Sequence, residues 1–470
     1  MKLLARLAWV LACAVPLHVV DAATRVGVEV PKHSRSVLAN GMTLIVVPQP
    51  EVPLLAFNLV IKGGGRLDVP QRAGVASLTA GLLEKGAGAR DAFAFADAVA
   101  AVGGSFNAGA ADEAIAVSGQ FLSRDRELLL ELLADVAQRA RLDEGEFSKL
   151  RDRDIEFIRA AKDSDPSGLI GTYGRAMLYG NHPYGLPTDG SEASLARIRV
   201  DDVRAFYRDN VSADRATLVL AGDVDPKWAQ RAVRKAFAGW QRAKNPLPAL
   251  AAAAPLAERR VLLIDSPGSA QTYFWLGNVG VDRYFDARAA LDIVNTLYGG
   301  RFTSILNSEL RIKSGLSYGA SSRFSRGRVA GPFAIASFTQ TDTTVQAIDL
   351  ALATLGRLHD DAVDAEMIDS ARAYVLGQYP LRLETAGHWA GALAELDLYG
   401  LGTEYIEGYG AALNAVTTED ARRVIERAFP TPDHLQLVLI GDASRIREGI
   451  AKYGPVTEMP LAATEFHPGP

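Results

Sequence analysis

The sequence predicts an α+β protein of two homologous domains, each a mainly antiparallel sheet with helices packed on one face. A helix beginning at Val200 and the strand 217–223 recur as the segment 416–442, with their aligned aspartates 219 residues apart. The strand–helix segments 54–88 and 272–312 repeat in the same order at nearly the same offset. Such a long period indicates a duplicated domain and excludes a solenoid. Short strands and hairpins favour antiparallel sheets over a doubly wound parallel one.

Four segments follow from this organisation. Residues 1–22 are a leader, residues 23–241 the N-terminal domain, residues 242–257 a linker and residues 258–470 the C-terminal domain. Within the linker, Asn245–Pro255 is rich in proline and alanine without periodicity, which is typical of a semi-rigid spacer.

The elements of the first domain follow from local patterns. Asn40-Gly41 between alternating apolar residues predicts a hairpin. The apolar residues of the stretch 73–85 recur at helical spacing, and Gly86 predicts the end of that helix. The remaining expected elements are a strand at 54–61, a helix at 90–102, two strands within 105–120, helices at 124–141, 143–161, 169–179 and 200–207, a strand at 217–223 and a helix at 226–240.

Composition and charge are those of an ordinary globular protein. The 470 residues are 48% hydrophobic and 22% charged, with a net charge of −5. No run of like charge indicates a nucleic acid or an anionic membrane as partner. No nucleophile elbow, phosphate loop or dinucleotide fingerprint is present, and no two of the seven histidines stand four residues apart.

The N-terminus predicts a secretory signal peptide. Met1–Arg6 is basic, Leu7–Val15 is a short apolar run, and Val20–Ala22 supplies small residues for cleavage after Ala22. We therefore expect a periplasmic or secreted protein. The only cysteine, Cys13, lies inside this leader, so the mature chain would contain no disulfide. Val10–Cys13 also loosely resembles a lipid-attachment site, which makes lipid anchoring at Cys13 the alternative.

The order of hairpin, strand, Gly63–Arg66, helix 73–85 and Gly103–Ala108 resembles the insulinase/pitrilysin-type zinc metallopeptidases. In that family the helix carries an inverted motif, His-x-x-Glu-His. Its histidines bind zinc, and its glutamate takes a proton from the metal-bound water. By this resemblance Ser77 and Gly81 hold the histidine places and Ala80 the glutamate place.

The third metal ligand of the family would fall at Phe157, or beside it at Glu156, and we favour Phe157. With Phe157 in that place, Ser77, Ala80, Gly81 and Phe157 supply neither the usual zinc ligands nor a base, so the resemblance implies that the metal site is lost. Two histidines are considered as substitute metal ligands. His182 is better interpreted as a loop residue in a turn. His388, next to Trp389 on a helix, is interpreted as a packing residue.

A second stretch, Gly299–Tyr318, is similar to the C-terminal domain of the same family. There an arginine and a tyrosine seven residues apart face the substrate, and here they are Arg311 and Tyr318. A peptide carbonyl polarised by zinc gains negative charge as water adds, and a guanidinium and a phenol can hold that oxygen. The alternative is an ordinary helix-end arginine and an ordinary strand tyrosine.

The resemblance covers about residues 34–454 and implies half of a clam-shell chamber. It also implies a catalytically silent subunit of a heterodimeric zinc endopeptidase, with zinc held by a sister chain and none held here. The expected substrate is an unfolded peptide or small protein. Asn107 would lie along an edge strand that pairs with substrate backbone, unless it is only structural. The alternative function is a peptide-binding or scaffolding protein with no protease role.

Overall fold

The computed structural model describes residues 27–360 and 363–468. Each half of the chain forms one six-stranded sheet, and most strand pairs in both sheets are antiparallel. The predicted α+β class is therefore confirmed. The predicted signal peptide and Cys13 lie outside the described residues.

Strands and helices follow one another in runs along both halves. The strands are β1 (Ser34–Val37), β2 (Thr43–Pro48), β3 (Leu54–Lys62), β4 (Gly86–Ala87), β5 (Arg90–Asp91), β6 (Ser105–Ala110), β7 (Ala114–Leu122), β8 (Ala216–Gly222), β9 (Arg260–Asp265), β10 (Gln271–Val279), β11 (Ala320–Arg326), β12 (Ala330–Gln340), β13 (Gln436–Gly441) and β14 (Val456–Pro460). The helices of the first half are α1 (Val75–Leu83), α2 (Ala92–Ala100), α3 (Arg126–Arg139), α4 (Glu144–Ser164), α5 (Ile170–Tyr179), α6 (Glu192–Arg197), α7 (Val200–Asn210) and α8 (Pro226–Ala236). Those of the second half are α9 (Arg288–Asn295), α10 (Ile305–Asn307), α11 (Thr344–Asp360), α12 (Ala365–Gln378), α13 (Ala386–Tyr399), α14 (Glu404–Glu407), α15 (Tyr409–Ala415), α16 (Thr418–Ala428) and α17 (Ala443–Ile450).

The two sheets share the order of five strands. The first sheet runs β1-β2-β8-β3-β7-β6, and the second, taken from its far edge, runs β14-β9-β13-β10-β12-β11. The recurring Gly-Asp strands are β8 and β13, and each lies between a parallel neighbour and an antiparallel one. The sequence repeat thus corresponds to equivalent positions in the two sheets, as duplication requires.

The inner face of each sheet packs on the helices of its own half. Along β3, Leu55, Phe57, Leu59 and Ile61 join one buried cluster with residues of α1, α3 and α7. This follows from the two-residue period of a strand, which sends alternate side chains to one face. The second half has a corresponding cluster that contains residues of β10, α9, α11 and α16.

The opposite face of each sheet is covered by a helix from the other half. Helix α13 lies on the first sheet, where Trp389 and Leu393 pack against Val47 and Val219. Helix α5 lies on the second sheet, where Tyr173 packs against Trp275 and Ile440. Each sheet thus has helices on both faces, where the sequence predicted them on one, because each half contributes one helix to the sheet of the other.

One predicted helix ends early. The helix expected to reach residue 240 stops at Ala236, because Phe237 and Trp240 turn into the first core and are both buried. The side-chain amide of Asn40 donates to the carbonyls of Phe237 and Trp240, at 2.8 and 3.3 Å, which holds this turn. Burial of two large aromatic side chains outweighs the helical pattern there.

The segment between the two sheets has no helix or strand from residue 241 to residue 259. It touches both halves, since Arg66 donates to the Pro248 carbonyl at 2.9 Å and the Leu256 N–H donates to the Asn278 side chain at 2.8 Å. None of the described helices combines the length and the apolar composition needed to cross a membrane.

Candidate functional site

Helix α1 presents the degenerate motif to a cavity in the first half. A buried carboxylate starts this helix: Asp68 accepts N–H bonds from Gly74 and Ala76, at 2.7 and 3.1 Å. These bonds satisfy donors that a helix N-terminus leaves free. Ser77 and Gly81, one helical turn apart, line a cavity of about 640 Å³.

Ser77 is already engaged by the protein. Its Oγ donates to Oδ1 of Asp189 at 2.9 Å, and both residues line the cavity. Ala80 does not reach the cavity, because its side chain is buried in the core of the first half. The position that would carry a general base is thus a packing position in this chain.

Gly81 leaves no space for a larger side chain without movement of a neighbour. A Cβ added there would lie 2.9 Å from Cδ2 of Leu150, a buried side chain of α4. That separation is shorter than carbon atoms in contact adopt. The end of the Leu150 side chain would therefore have to move to admit a side chain at position 81.

Phe157, and not Glu156, lines the same cavity as Ser77 and Gly81. The Phe157 ring is 64% exposed, and the guanidinium carbon of Arg153 lies 5.6 Å from its centre. Glu156 forms an ion pair with Arg159 at 2.7 Å. The structure thus brings three of the four degenerate positions together around one space.

Two carboxylates, Asp154 and Asp189, also line this cavity, and the sequence interpretation missed both. Burial raises the pKa of Asp154, with Arg153 acting against it and Asp189 adding to it. Within residues 27–360 and 363–468, no group of three histidine, cysteine, aspartate or glutamate side chains is placed to hold a metal ion. A serine hydroxyl committed to Asp189, a glycine and a phenylalanine do not fit the tetrahedral nitrogen and carboxylate set that zinc takes.

Asn107 lies on β6, the edge strand of the first sheet, with its side chain exposed. The next residue is constrained, since the Ala108 N–H donates to the carboxylate of Glu84 at the end of α1. A carboxylate on an edge N–H occupies a donor that an added strand would use. The edge beside Asn107 is thus partly capped by the chain itself.

Arg311 and Tyr318 lie together on the surface of the second half. The guanidinium carbon of Arg311 is 4.4 Å from the centre of the Tyr318 ring and 4.8 Å from that of Phe302. Tyr318 is 74% exposed and Phe302 61% exposed. Among the described residues, neither the guanidinium nor the phenol hydroxyl forms a hydrogen bond or an ion pair with another side chain or the backbone.

The backbone that carries Arg311 is irregular. Residues Ser308–Lys313 form a π-helical turn, and a second π-helical turn spans Thr296–Gly300. Such turns are rare in proteins and occur frequently at functional sites. The family resemblance implies a helix that ends at Arg311 but does not indicate the wider turn.

The two histidines weighed as substitutes have different surroundings. His182 lies in a turn, where its Nδ1 accepts from the Tyr184 N–H at 3.0 Å and its Nε2 is 2.8 Å from the Ala251 carbonyl. Both ring nitrogens of His182 are therefore engaged in contacts with the backbone of the surrounding loops. His388 was expected to pack, but its side chain is exposed and only its neighbour Trp389 is buried. The helix turns Trp389 toward the first sheet and leaves His388 accessible to solvent.

The C-terminal segment closes one side of the first cavity, which the sequence did not indicate. Phe466 lines the cavity and packs edge-on against Tyr173 at 5.0 Å. Glu465 accepts a hydrogen bond from Ser191 at 2.6 Å. No motif signals this contact, because the partners are separated by most of the chain.

Comparison with protein families gives two matches in chain order. Residues 45–190 match the family model described as insulinase (peptidase family M16), and residues 197–375 match the one described as peptidase M16 inactive domain. Together the two matches span well over half of the chain.

Curated relatives are similar over most of their length. The chain is 25% identical to an uncharacterized zinc protease of Streptomyces coelicolor, over 89% of this chain and 92% of that protein. It is 25% identical to the uncharacterized zinc protease YmxG of Bacillus subtilis, over 74% of this chain and 83% of that protein.

Solved structures share the fold. A peptidase M16 inactive domain from Pseudomonas fluorescens superposes with a TM-score of 0.80 at 24% identity, covering 87% of this chain and 98% of that one. A protease from Helicobacter pylori also gives 0.80, at 21% identity, covering 87% of this chain and 99% of that one. At these identities the likeness concerns the fold alone.

Proposed function

Since the chain belongs to the insulinase family of peptidases (M16) and lacks the metal ligands of that family, we propose that it is the catalytically silent subunit of a heterodimeric zinc endopeptidase. A sister chain with an intact His-x-x-Glu-His motif would hold the zinc. This chain would supply Arg311 and Tyr318 to the substrate. Its place of action would be the periplasm, as the predicted signal peptide suggests.

One contrast supports this proposal. At the positions of the metal site, Ser77 is bonded to Asp189, and Leu150 would have to move to admit a side chain at position 81. Arg311 and Tyr318, by comparison, lie against each other and have no hydrogen-bond partner among the described residues; Tyr318 is exposed and Arg311 half-buried. If the chain had lost both zinc binding and substrate binding, nothing would be expected to maintain Arg311 and Tyr318 without partners.

The chemistry of the pair suits a peptide bond under attack. The carbonyl oxygen gains negative charge as water adds, and a guanidinium and a phenol both donate hydrogen bonds to such an oxygen. The guanidinium carbon of Arg311 lies over the rings of Phe302 and Tyr318, and its N–H groups form no hydrogen bond with the described residues. Neither residue can cleave a bond alone, so the proposal requires the partner.

The test measures peptide hydrolysis and bound zinc for the mature chain, for its candidate sister chain and for their mixture. We expect little activity from either chain alone, activity in the mixture and zinc that accompanies the sister chain. Tight one-to-one zinc in this chain alone would contradict the proposal. A mixture that behaves as the sum of its parts would favour a peptide-binding or scaffolding protein.

A further inference from the structure

The second half contains a cavity at the position that corresponds to the degenerate metal site of the first half. The first cavity lies among α1, the edge strand β6, α4 and α5. The second, of about 750 Å³, lies among α9, the edge strand β11, α12 and α13, which are the duplicated counterparts of those elements. This volume falls in the range of ligand pockets, about 300–1,000 Å³.

The walls of the second cavity are strongly basic. Five arginines line it, Arg283, Arg288, Arg323, Arg326 and Arg382, and His388 lines it as well. The carboxylates of the lining are those of Asp292 and Glu395. Even with the histidine neutral, the cavity therefore carries a net positive charge.

Both carboxylates are already paired. Arg283 contacts Glu395 at 2.7 Å, and Arg326 contacts Asp292 at 2.9 Å. Asp292 also accepts a hydrogen bond from the Tyr409 hydroxyl at 2.6 Å. Within the described part of the chain, Arg288, Arg323 and Arg382 form no ion pair, so three guanidinium groups in the cavity lack an acidic partner.

Donors on the paired arginines are unused too. Nε of Arg283 and Nη1 of Arg326 are buried and have no hydrogen-bond acceptor among the described residues. A buried donor without an acceptor costs free energy, and a charged donor costs more than a neutral one. Both donors belong to arginines that are already paired with carboxylates, so recognition of a ligand depends on the three unpaired arginines.

Aromatic stacking holds Arg288 in place. Its guanidinium carbon is 3.6 Å from the centre of the Tyr405 ring and 4.1 Å from that of Tyr409, and it donates to the Tyr405 carbonyl at 2.7 Å. A guanidinium fixed in this way is preorganised, so less side-chain entropy is lost when it binds a ligand. Arg323 on β11 and Arg382 after α12 are exposed and can adjust to the ligand.

We propose that this cavity binds the acidic side chains of a peptide, through the unpaired guanidinium groups of Arg288, Arg323 and Arg382. The arginines come from several walls of the cavity, which suits a ligand whose carboxylates are spread along a chain better than one compact anion. Arginine matches carboxylates through pairs of parallel N–H bonds. The inference deepens the peptide-binding part of the proposed function and rests on it for the nature of the ligand.

The test is direct binding to the mature chain alone, so it does not depend on a partner or on proteolysis. Fluorescence anisotropy would compare a short labelled peptide that contains several glutamates with the same peptide carrying glutamines. We expect the glutamate peptide to bind at least about tenfold more tightly, because charge-assisted bonds are roughly twice as strong as neutral ones. Equal binding of the two peptides would overturn the proposal, whatever the outcome for protease activity.

Variants locate the site. The double variant Arg323→Gln/Arg382→Gln should weaken binding of the glutamate peptide at least about tenfold. The matched control Arg231→Gln/Arg234→Gln removes the same charge from exposed positions of α8 and should change affinity by less than about twofold. A similar loss in both double variants would indicate a general charge effect and reject this cavity as the site.

Two further arms complete the test. Citrate and inorganic phosphate are tested as competitors at matched ionic strength. Displacement of the glutamate peptide at concentrations near its dissociation constant would assign the cavity to small anions and overturn the peptide assignment.

If Arg323→Gln/Arg382→Gln fails to fold, Arg323→Lys/Arg382→Lys retains the charge without the planar fork. It should still weaken binding measurably, and unchanged binding would contradict recognition by the guanidinium groups.

Discussion

The guanidinium carbon of Arg311 lies 4.4 Å from the centre of the Tyr318 ring, and the Phe302 ring covers Arg311 at 4.8 Å. The two residues that the proposed function assigns to the substrate are therefore assembled within this chain before any partner binds. Preorganisation of this kind lowers the entropy that must be lost when a transition state is bound.

Arg311→Ala and Tyr318→Phe should each lower the turnover of the assembled protease and leave assembly intact. Loss of one donor to a developing oxyanion costs about 10²–10³ in kcat in a well-studied protease. The measurement is kcat with the sister chain in excess, with complex formation followed by size-exclusion chromatography. Arg427→Ala is the control, because Arg427 also lies over an aromatic ring, that of Phe285 at 4.8 Å, away from the pair. Unchanged kcat in both variants would indicate that Arg311 and Tyr318 have only a structural role.

Gly81→His should destabilise the chain slightly, because a Cβ at position 81 meets Cδ2 of Leu150 at 2.9 Å and that side chain must move. The atom is the end of a flexible side chain beside the cavity, so we expect a loss of about 1 kcal/mol, at the low end of overpacking costs. Urea denaturation followed by circular dichroism would measure the loss. Gly377→His is the control, since a Cβ at that exposed helical glycine meets nothing within 4 Å. Equal stability of the Gly81→His variant and the wild type would show that Leu150 moves aside freely and that the site could still accept a ligand.

The sequence predicted the fold well where its signals were periodic. The repeat around Asp223 and Asp442 predicted two related halves, and β8 and β13 lie at equivalent positions of their sheets. The exchange of α5 and α13 was not predicted, because the apolar stripe of an amphipathic helix does not specify which sheet it covers.

The candidate site was predicted in part. Spacing taken from a family resemblance pointed to Ser77, Gly81 and Phe157, which do line one cavity. It could not reveal Asp189 or Phe466, since their contacts depend on how distant segments pack. The basic second cavity was not predicted, for the same reason. Its arginines are scattered from residue 283 to residue 382 with no motif among them.

Asp68 should make stability depend on pH. Burial raises the pKa of Asp68 to about 7, although the N–H bonds from Gly74 and Ala76 lower it. A folded-state pKa above the unfolded value of about 3.9 means that the folded state binds the proton more tightly. This contribution to stability is therefore complete below about pH 4 and is lost as the pH rises through 7. Its size is on the order of a few kcal/mol.

Asp68→Asn tests this assignment, because asparagine has no proton to lose and its amide oxygen can still accept an N–H bond. The free energy of unfolding would be measured between pH 4.5 and pH 8 for the variant and the wild type. We expect the difference between the two curves to shift in favour of the variant as the pH rises. Parallel curves would show that the Asp68 carboxyl does not titrate in this range.

Helix α13 should couple the stability of the first sheet to the second half, because it is held on that sheet. Trp389 and Leu393 bury their side chains there, and Asp397 accepts a hydrogen bond from Thr217 at 2.5 Å and pairs with Arg35 at 2.8 Å. Burial alone would raise the pKa of Asp397, but the bonds from Thr217 and Arg35 lower it overall. The carboxylate is thus held charged in contact with the other half.

Trp389→Ala should destabilise the first sheet even though Trp389 belongs to the second half. Truncation of a buried tryptophan costs about 3–5 kcal/mol. Hydrogen exchange read out by mass spectrometry should show faster exchange in β3 and β8, on which α13 packs. Phe429→Ala is the matched control, because Phe429 is equally buried but packs within the core of the second half, so its loss should speed exchange in β10 and β12 first. The same exchange pattern in both variants would mean that the halves are coupled globally and that α13 is not the specific link.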